Sequence, residues 1–243
     1  MNIILIGYGK MGKTIEKIAR SRGHHIQAVI DVDNRAELQS IQNPDAVAIE
    51  FTQPESAVEN LKICMQNHIP VVCGTTGWLD HKPAIEQLCQ THQNGFFYAS
   101  NYSIGVNIFF KLNEYLAKVM QHYPEYTPSI TEIHHTEKKD APSGTAITLA
   151  EGVLANYPSK KGWKNEMTSA AEAQLGIVSL REPNVPGTHT IQYSSTIDDI
   201  SITHLAHSRE GFATGAVLAA EWLQGKKGIF GMPDLLNNVF SKI

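Results

Sequence analysis

Two histidines, two lysines and an aspartate crowd His134-His135-Thr136-Glu137-Lys138-Lys139-Asp140, and Ala141-Pro142-Ser143-Gly144-Thr145-Ala146 follows directly. Each type has a chemical use. An imidazole titrates near neutral pH and can hand over a proton. An ammonium group stabilises negative charge that develops during a reaction. Ser143 is an N-cap residue by type, so the backbone N–H groups of Gly144 and Thr145 open a helix and face an anion. Together they describe a site that binds a small carboxylate-bearing substrate and supplies a proton to it. His134-His135 as a metal pair is disfavoured, because neighbours on a strand point to opposite faces. No cysteine or further histidine stands at ligand spacing, so no metal is expected. One of Lys138 and Lys139 reads as a solvated turn residue.

A second constellation lies at the start of the chain. Gly7-Tyr8-Gly9-Lys10-Met11-Gly12 is a G-x-G-x-x-G run that follows an apolar strand and opens a helical pattern. In that context the first glycine makes a tight turn. The second lets backbone approach a pyrophosphate, and the third lets helix and sheet pack closely. Lys10 and Met11 lie in the helix's first turn, whose N–H groups suit phosphate. Asp31 ends the next strand, where a carboxylate about 20 residues on bonds an adenine ribose. Asp31, with Asp33, disfavours a 2′-phosphate, and Arg35 opposes them. The balance favours NADH over NADPH. Gly74-Thr75-Thr76 and Ala99-Ser100-Asn101-Tyr102 fall at further strand ends, where small and polar residues admit a nicotinamide ring.

These residues need a scaffold. Short apolar runs at Asn2–Ile6, Ile26–Ile30, Ala46–Phe51, Val71–Cys73 and Phe96–Ala99 read as strands. Helical patterns at Met11–Arg22, after Thr52-Gln53-Pro54-Glu55, and near Ala84–His92 separate them. Thr52 reads as the N-cap of the second helix, with Glu55 at its third position. The alternation implies an α/β unit with a parallel sheet covered on both faces. After Asn101 the pattern changes. Helices are expected at Gly105–His122, Gly144–Ala155 and Phe212–Leu223, and strands at Ser129–Thr136, Gln174–Arg181, Thr188–Ser195 and Ile200–His207. Asp198-Asp199 reads as a hairpin turn and Pro158–Thr168 as a mobile loop. This half reads as α+β with an antiparallel or mixed sheet.

Composition narrows the function classes. The 243 residues are 42% hydrophobic and 18% charged, enough to build a core, and the formal net charge is −4. Nothing there favours nucleic acid or a membrane surface. No apolar run approaches the roughly 20 residues of a membrane span, and the N-terminus lacks a signal-peptide pattern. Cys64, Cys73 and Cys89 are odd in number, lack C-x-x-C spacing and sit in apolar stretches. They read as buried thiols of a reducing compartment, so a cytoplasmic protein is expected.

The run His134-His135-x-x-Lys138-x-Asp140-Ala141-Pro142-Ser143-Gly144-Thr145-Ala146 resembles the signature of the 4-hydroxy-tetrahydrodipicolinate reductase family, formerly called dihydrodipicolinate reductases. The resemblance extends through Gly7–Gly12, Phe51-Thr52-x-Pro54, Gly74-Thr75-Thr76, Asn101-Tyr102-Ser103-x-Gly105-Val106-Asn107, Gly187-x-His189-Thr190 and Ser208-Arg209-x-x-Phe212-Ala213-x-Gly215-Ala216. It implies NAD(P)H-dependent reduction of 4-hydroxy-tetrahydrodipicolinate to tetrahydrodipicolinate and water in lysine and diaminopimelate synthesis. It implies His134 as proton donor or acceptor and Lys138 as its cationic partner, often assigned as proton donor. His135 and the backbone of Gly144 and Thr145 would hold the substrate carboxylates. It also implies a Rossmann-type domain, residues 1–104 and 213–243, and a substrate and oligomerisation domain, residues 105–212, through which homotetramers form.

The chain departs from the family pattern in places. Glu50 stands where the family usually has aspartate, and Asp31 replaces the commoner glutamate. Val32 stands where some relatives have arginine, and Arg181-Glu182-Pro183 replaces a more usual Arg-x-Gly. The segment between Asp31 and Ala46 is shorter than in many relatives. Two rival readings share the first domain. A semialdehyde-type dehydrogenase would need a reactive cysteine, for which Cys73 is the nearest candidate. A non-enzymatic dinucleotide sensor would not need Lys138 beside His134.

Overall fold

The computed structural model describes residues 1–208 and 210–240. The chain divides into two compact units, Met1–Ile104 with Glu210–Ile243, and Gly105–Arg209. Arg209, part of one resembling motif, lies outside the described residues.

The first unit is built on a six-stranded parallel sheet. Its strands are β1 (Asn2–Ile6), β2 (His25–Ile30), β3 (Ala46–Glu50), β4 (Val71–Cys73), β5 (Gly95–Tyr98) and β11 (Gly228–Phe230), in the order β11-β5-β4-β3-β1-β2. Apolar runs of this kind have no solvent face, so alternate residues enter two cores. Ile3, Leu5, Val47 and Ile49 join Ile15 and Ala19 of α1 (Lys10–Ser21) and Ala216, Val217 and Ala220 of α6 (Glu210–Leu223). Ile4, Ile6, Ala46 and Ala48 join Leu61 and Cys64 of α2 (Pro54–Gln66) and Ile85 and Cys89 of α3 (Lys82–Thr91). The chain passes from β1 outward to β2, then back across to β3. The C-terminal ends of β1 and β3 therefore border the switch point where such sheets bind ligands.

One local expectation needed correction here. The N-cap of α2 is Gln53, not Thr52, and Pro54 takes the first helical position. The Thr52 hydroxyl instead donates to the side chain of buried Glu50. The fixed φ of proline is preorganised for that first position, so the helix starts one residue later than the capping pattern implied. The segment after Asp31 is a 3-10 helix, Val32–Ser40, closed by a reciprocal capping box between Asp31 and Asn34. Strand β11 and α7 (Met232–Phe240) were also not anticipated. Three residues give no periodicity, and β11 forms because β5 offers a free edge, with Ile229 opposite Phe96.

The second unit holds α4 (Ile104–Met120), β6 (Thr127–His134), α5 (Gly144–Asn156), β7 (Gly162–Lys164), β8 (Gln174–Arg181), β9 (Gly187–Ser194) and β10 (Asp199–Ala206). Its sheet has the order β10-β9-β6-β8-β7. It is mixed: β10, β9 and β6 pair antiparallel, whereas β6, β8 and β7 pair parallel. Burial alternates strictly along β6 and β9. The inward residues Ile130, Ile177 and Ile191 pack on Phe109 of α4 and Leu149 and Val153 of α5.

The expected loop at Pro158–Thr168 contains β7, which pairs with β8 from Gly162 opposite Gln174. Its lysines are not simply solvated. Lys160 is buried with its ammonium on the Glu172 carbonyl at 2.6 Å, and Lys164 bridges Glu166 and Glu172. Those partners lie downstream, beyond what local composition reports. The tight turn between β9 and β10 spans Ser195 to Asp198, where the Ser195 N–H donates to the Asp198 carbonyl, and Asp199 already belongs to β10.

Candidate active site

In the first unit the expected cofactor residues lie in the segments that follow β1, β2, β4 and β5, with Lys10, Met11 and Gly12 in the first turn of α1. Gly7 follows β1 with φ of +94°, and a Cβ there would stand 2.1 Å from the Phe51 carbonyl oxygen. A Cβ at Gly12 would stand 2.1 Å from the Gly7 carbonyl oxygen, so the turn and α1 approach more closely than any side chain allows. Gly9 differs: a Cβ there would meet nothing within 4 Å. It is exposed and is the N-cap of α1, and no side chain caps that helix. Free N–H groups of the Lys10–Gly12 turn beside an open glycine surface fit a dinucleotide pyrophosphate.

The other cofactor candidates divide by exposure. Asp31 is exposed, with Oδ1 accepting from the Val32 N–H at 3.0 Å. Thr76 and Ser100 are exposed. Thr75 is buried, and its hydroxyl accepts from the Thr52 N–H at 2.8 Å, tying the β4 loop to the β3 loop. Ala99 is buried, and the Asn101 side chain accepts from the Ser103 N–H. Tyr102 is buried with its hydroxyl on the Cys73 carbonyl at 2.7 Å and its ring against Phe51 and Phe97. Thr75 and Tyr102 therefore shape the loops. Gly74 lets the Phe51 ring lie against the β4 loop, since a Cβ there would stand 2.2 Å from it.

The glycines allow function and stability to be separated by experiment. Gly12→Ala is expected to destabilise the protein by about 1–3 kcal/mol, because an added methyl must displace backbone. Gly9→Ala is expected to stay within about 1 kcal/mol of wild type yet weaken dinucleotide binding, because its methyl would enter the space the phosphates need. Chemical denaturation and NADH fluorescence titration measure the two effects. Equal affinity in Gly9→Ala would remove that glycine from the cofactor site.

In the second unit, β6 carries Glu132 and His134 on the same inward face, as residues two apart on a strand must be. Cross-strand register sets His189 and Ser179 on either side of Glu132, with His204 beyond His189. Glu132, His134 and His189 are buried. His134 Nε2 lies 3.3 Å from His189 Nε2 and 3.2 Å from Glu132 Oε2, which is 3.5 Å from His189 Nε2. Glu132 Oε1 accepts from the Ser143 N–H at 3.0 Å and the Ser179 hydroxyl at 2.7 Å. Burial acts to raise the Glu132 carboxyl, but His134, His189, Ser143 and Ser179 together hold it well below the usual carboxylate range. Glu132 is thus an anion fixed beneath His134. Gly187 makes room for that imidazole, since a Cβ there would lie 3.1 Å from His134 Cε1.

Ser143 is the N-cap of α5, as expected, with its hydroxyl accepting from the Ala146 N–H at 3.2 Å. The same hydroxyl lies 3.1 Å from His189 Nε2. Gly144 is exposed and Thr145 half-buried, so their N–H groups open onto the surface that follows β6. Lys138 places Nζ 2.9 and 2.8 Å from the two Asp140 oxygens. Arg181 donates to the carbonyl oxygens of Lys138 and Asp140, bracing their loop. Lys139 is exposed, which suits the solvated turn residue of the pair. His135 is half-buried, and its Nδ1 is buried with no hydrogen-bond partner.

Glu132, His189, Ser143 and Ser179 were not read as site residues, apart from Ser143 as a cap. The period-two alternation of β6 could have paired Glu132 with His134. The expectation that no further histidine stands at ligand spacing concerned linear distance, and His189 enters through sheet register. Cys73 answers one rival reading. Its thiol donates to Glu50 at 3.1 Å, and burial and the Glu50 charge push it well above the usual thiol range. A nucleophilic cysteine must be a thiolate, so Cys73 is inert.

Comparison with known proteins covers nearly the whole chain. Family models described as dihydrodipicolinate reductase, N-terminus, and dihydrodipicolinate reductase, C-terminus, match residues 1–102 and 105–236. A 4-hydroxy-tetrahydrodipicolinate reductase of Christiangramia forsetii is 49% identical, covering 99% of this chain and 99% of that protein. One of Lawsonia intracellularis is 34% identical, covering 97% and 99%. A solved dipicolinate-bound dihydrodipicolinate reductase from Paenisporosarcina sp. shares the fold, with a TM-score of 0.75 at 22% identity over 99% of each chain.

Proposed function

The chain belongs to the dihydrodipicolinate reductase family, and on that premise we propose a division of labour among its residues. The protein is an oxidoreductase that uses a pyridine nucleotide to reduce 4-hydroxy-tetrahydrodipicolinate to tetrahydrodipicolinate, on the route to diaminopimelate and lysine. A hydride is delivered to ring C4, water leaves, and the protein supplies a proton. In our reading His134 and Lys138 serve the proton transfer, and His135 with the N–H groups of Gly144 and Thr145 hold the carboxylates. Gly7, Gly9, Lys10, Met11, Gly12, Asp31, Gly74, Thr75, Thr76, Ala99, Ser100, Asn101 and Tyr102 form the nucleotide site, Thr75 and Tyr102 through backbone and loop shape.

The observation that carries this reading is the cluster around Glu132, which fixes His134 beside a helix N-terminus suited to carboxylate. A buried imidazole braced by a carboxylate is arranged for proton transfer, whereas a sensor would have no use for it. A coupled assay that makes the substrate from pyruvate and aspartate semialdehyde tests it. NADH oxidation is expected once the preceding synthase has acted. Its absence with active synthase present would refute the reductase reading.

For the nucleotide we propose NADH over NADPH. Asp31 and Asp33 are exposed near the expected ribose position. Arg35, which could oppose them, is turned to α2, donating to Asn60 at 3.0 Å and to the Ser56 carbonyl. A lower KM for NADH is expected in steady-state assays. Equal values would mean that a cation offsets Asp31.

We also propose a cytoplasmic homotetramer assembled through the second unit's sheet. Its outward face carries a cross-strand row of Leu205, Thr188, Ile133 and Leu180, and Leu205 and Leu180 are 53% and 42% exposed. Among the described residues no helix is long and apolar enough to cross a membrane. Native mass spectrometry tests the assembly: a monomer at micromolar concentration would rule it out.

A further inference from the structure

We propose that Glu132, His134 and His189 form a binding site for a divalent transition-metal ion of the zinc type, and that its occupancy switches the reductase off. The switching rests on the proton-transfer role given to His134 above; the metal site itself does not.

The first argument is metric. Glu132 Oε2, His134 Nε2 and His189 Nε2 form a triangle with sides of 3.2, 3.3 and 3.5 Å. Tetrahedral zinc holds nitrogen and oxygen ligands at about 2.0–2.2 Å, which sets neighbouring ligand atoms about 3.3–3.6 Å apart. The three atoms already stand at the separations of one face of such a tetrahedron. The fourth position is left for water or for Ser143 Oγ, which lies 3.1 Å from His189 Nε2.

The second argument concerns hydrogen-bond satisfaction. Two Nε2 atoms that face each other can share only one proton along their line. Glu132 Oε2 is buried and, although close to both rings, accepts no hydrogen bond of proper geometry. A buried carboxylate oxygen without a hydrogen bond is costly. Three lone-pair atoms thus converge with too few protons among them, and a cation at their centre would satisfy all three. The other carboxylate oxygen is held by Ser143 and Ser179, which fixes the Glu132 rotamer from outside the triangle.

The donor set defines the ion. Two imidazoles and one carboxylate form a His2Glu set of the kind that catalytic zinc sites use. It has too few oxygens for calcium or magnesium and no thiolate to favour copper(I). His189 Nδ1 is buried with no partner, so this ligand lacks the outer hydrogen bond that strengthens permanent zinc sites. The metal is therefore expected to exchange and to be removable by chelator. While bound it occupies the His134 lone pair, and the imidazole cannot transfer a proton.

Cobalt(II) titration of the chelator-treated protein tests the site. Visible d–d bands of tetrahedral cobalt, saturating at one ion per chain and displaced by zinc, are the expected result. His189→Gln and Glu132→Gln should each weaken cobalt binding by more than the roughly 10- to 100-fold that loss of an outer partner costs. His135→Gln should keep the bands. Absence of the bands, or their survival in both His189→Gln and Glu132→Gln, would overturn the site. If those variants do not fold, wild type alone decides: zinc must raise its Tm, as a ligand of the native state does, and an unchanged Tm overturns the site equally. Saturating zinc is expected to lower turnover by about 10²-fold, reversibly, as loss of a proton-transferring imidazole would. Tetrahedral binding with unchanged turnover would overturn the switching and the role of His134, while leaving the metal site in place.

Discussion

His134→Gln and Lys138→Ala are each expected to lower kcat by about 10²-fold or more, the usual contribution of a placed proton donor and of a cation at developing charge. The two losses should differ in form. His134 is almost fully buried, ends β6 and rests on the Glu132 carboxylate, so it is positioned before substrate arrives. Glutamine keeps a polar group of similar length but cannot move a proton, so kcat should fall with little change in KM. Lys138 is one-fifth exposed, and its ammonium is held by Asp140. Its loss should also raise KM if the same ammonium attracts the substrate carboxylates. Steady-state kinetics of both variants separate these effects. A rise in KM alone for Lys138→Ala would make it a binding group and leave proton supply to His134. Unchanged turnover in both variants would remove the pair from the chemistry.

Glu132→Ala is expected to destabilise the second unit by about 3–5 kcal/mol, the range for breaking a buried charged cluster by removing one partner. Glu132 is fully buried, and its loss leaves the Ser143 N–H without its acceptor, removes one acceptor of the Ser179 hydroxyl and takes the carboxylate away from beside two imidazoles. The effect should reach α5, because Ser143 caps that helix while its own N–H is held by Glu132. Glu132→Gln retains an acceptor for Ser143 and Ser179 and should cost clearly less. Urea denaturation followed by circular dichroism measures both. A loss below about 1 kcal/mol for the alanine variant, the scale of a single ordinary hydrogen bond, would show that water replaces the carboxylate and that the cluster is not structural.

Much of the scaffold was legible because its signals are local. Five of the six strands of the parallel sheet announce themselves as apolar runs, and α1 follows its glycine motif directly. Strand β11 escaped because three residues carry no pattern and the free edge of β5 creates it. The lysines at 160 and 164 looked like loop residues because their partner, Glu172, lies downstream. Thr75 and Tyr102 looked like ligand groups because their position at strand ends is a local fact. That their hydroxyls hold the loops together is a tertiary one.

The opening cluster of charges divides along the same line. The sequence by itself determined the family, the dinucleotide turn, the Ser143 cap and the grouping of His134 with Lys138, all of which lie within short contiguous runs. Only the tertiary structure decided what stands around His134. Glu132, Ser179 and His189 come from three strands, and their meeting depends on β9 and β8 flanking β6 in one register. Alternation along a strand tells which residues face inward, but not which strand lies beside it or at what offset. Pairing is settled by the packing of the whole sheet, so the carboxylate beneath the reactive histidine could be seen only in the folded chain.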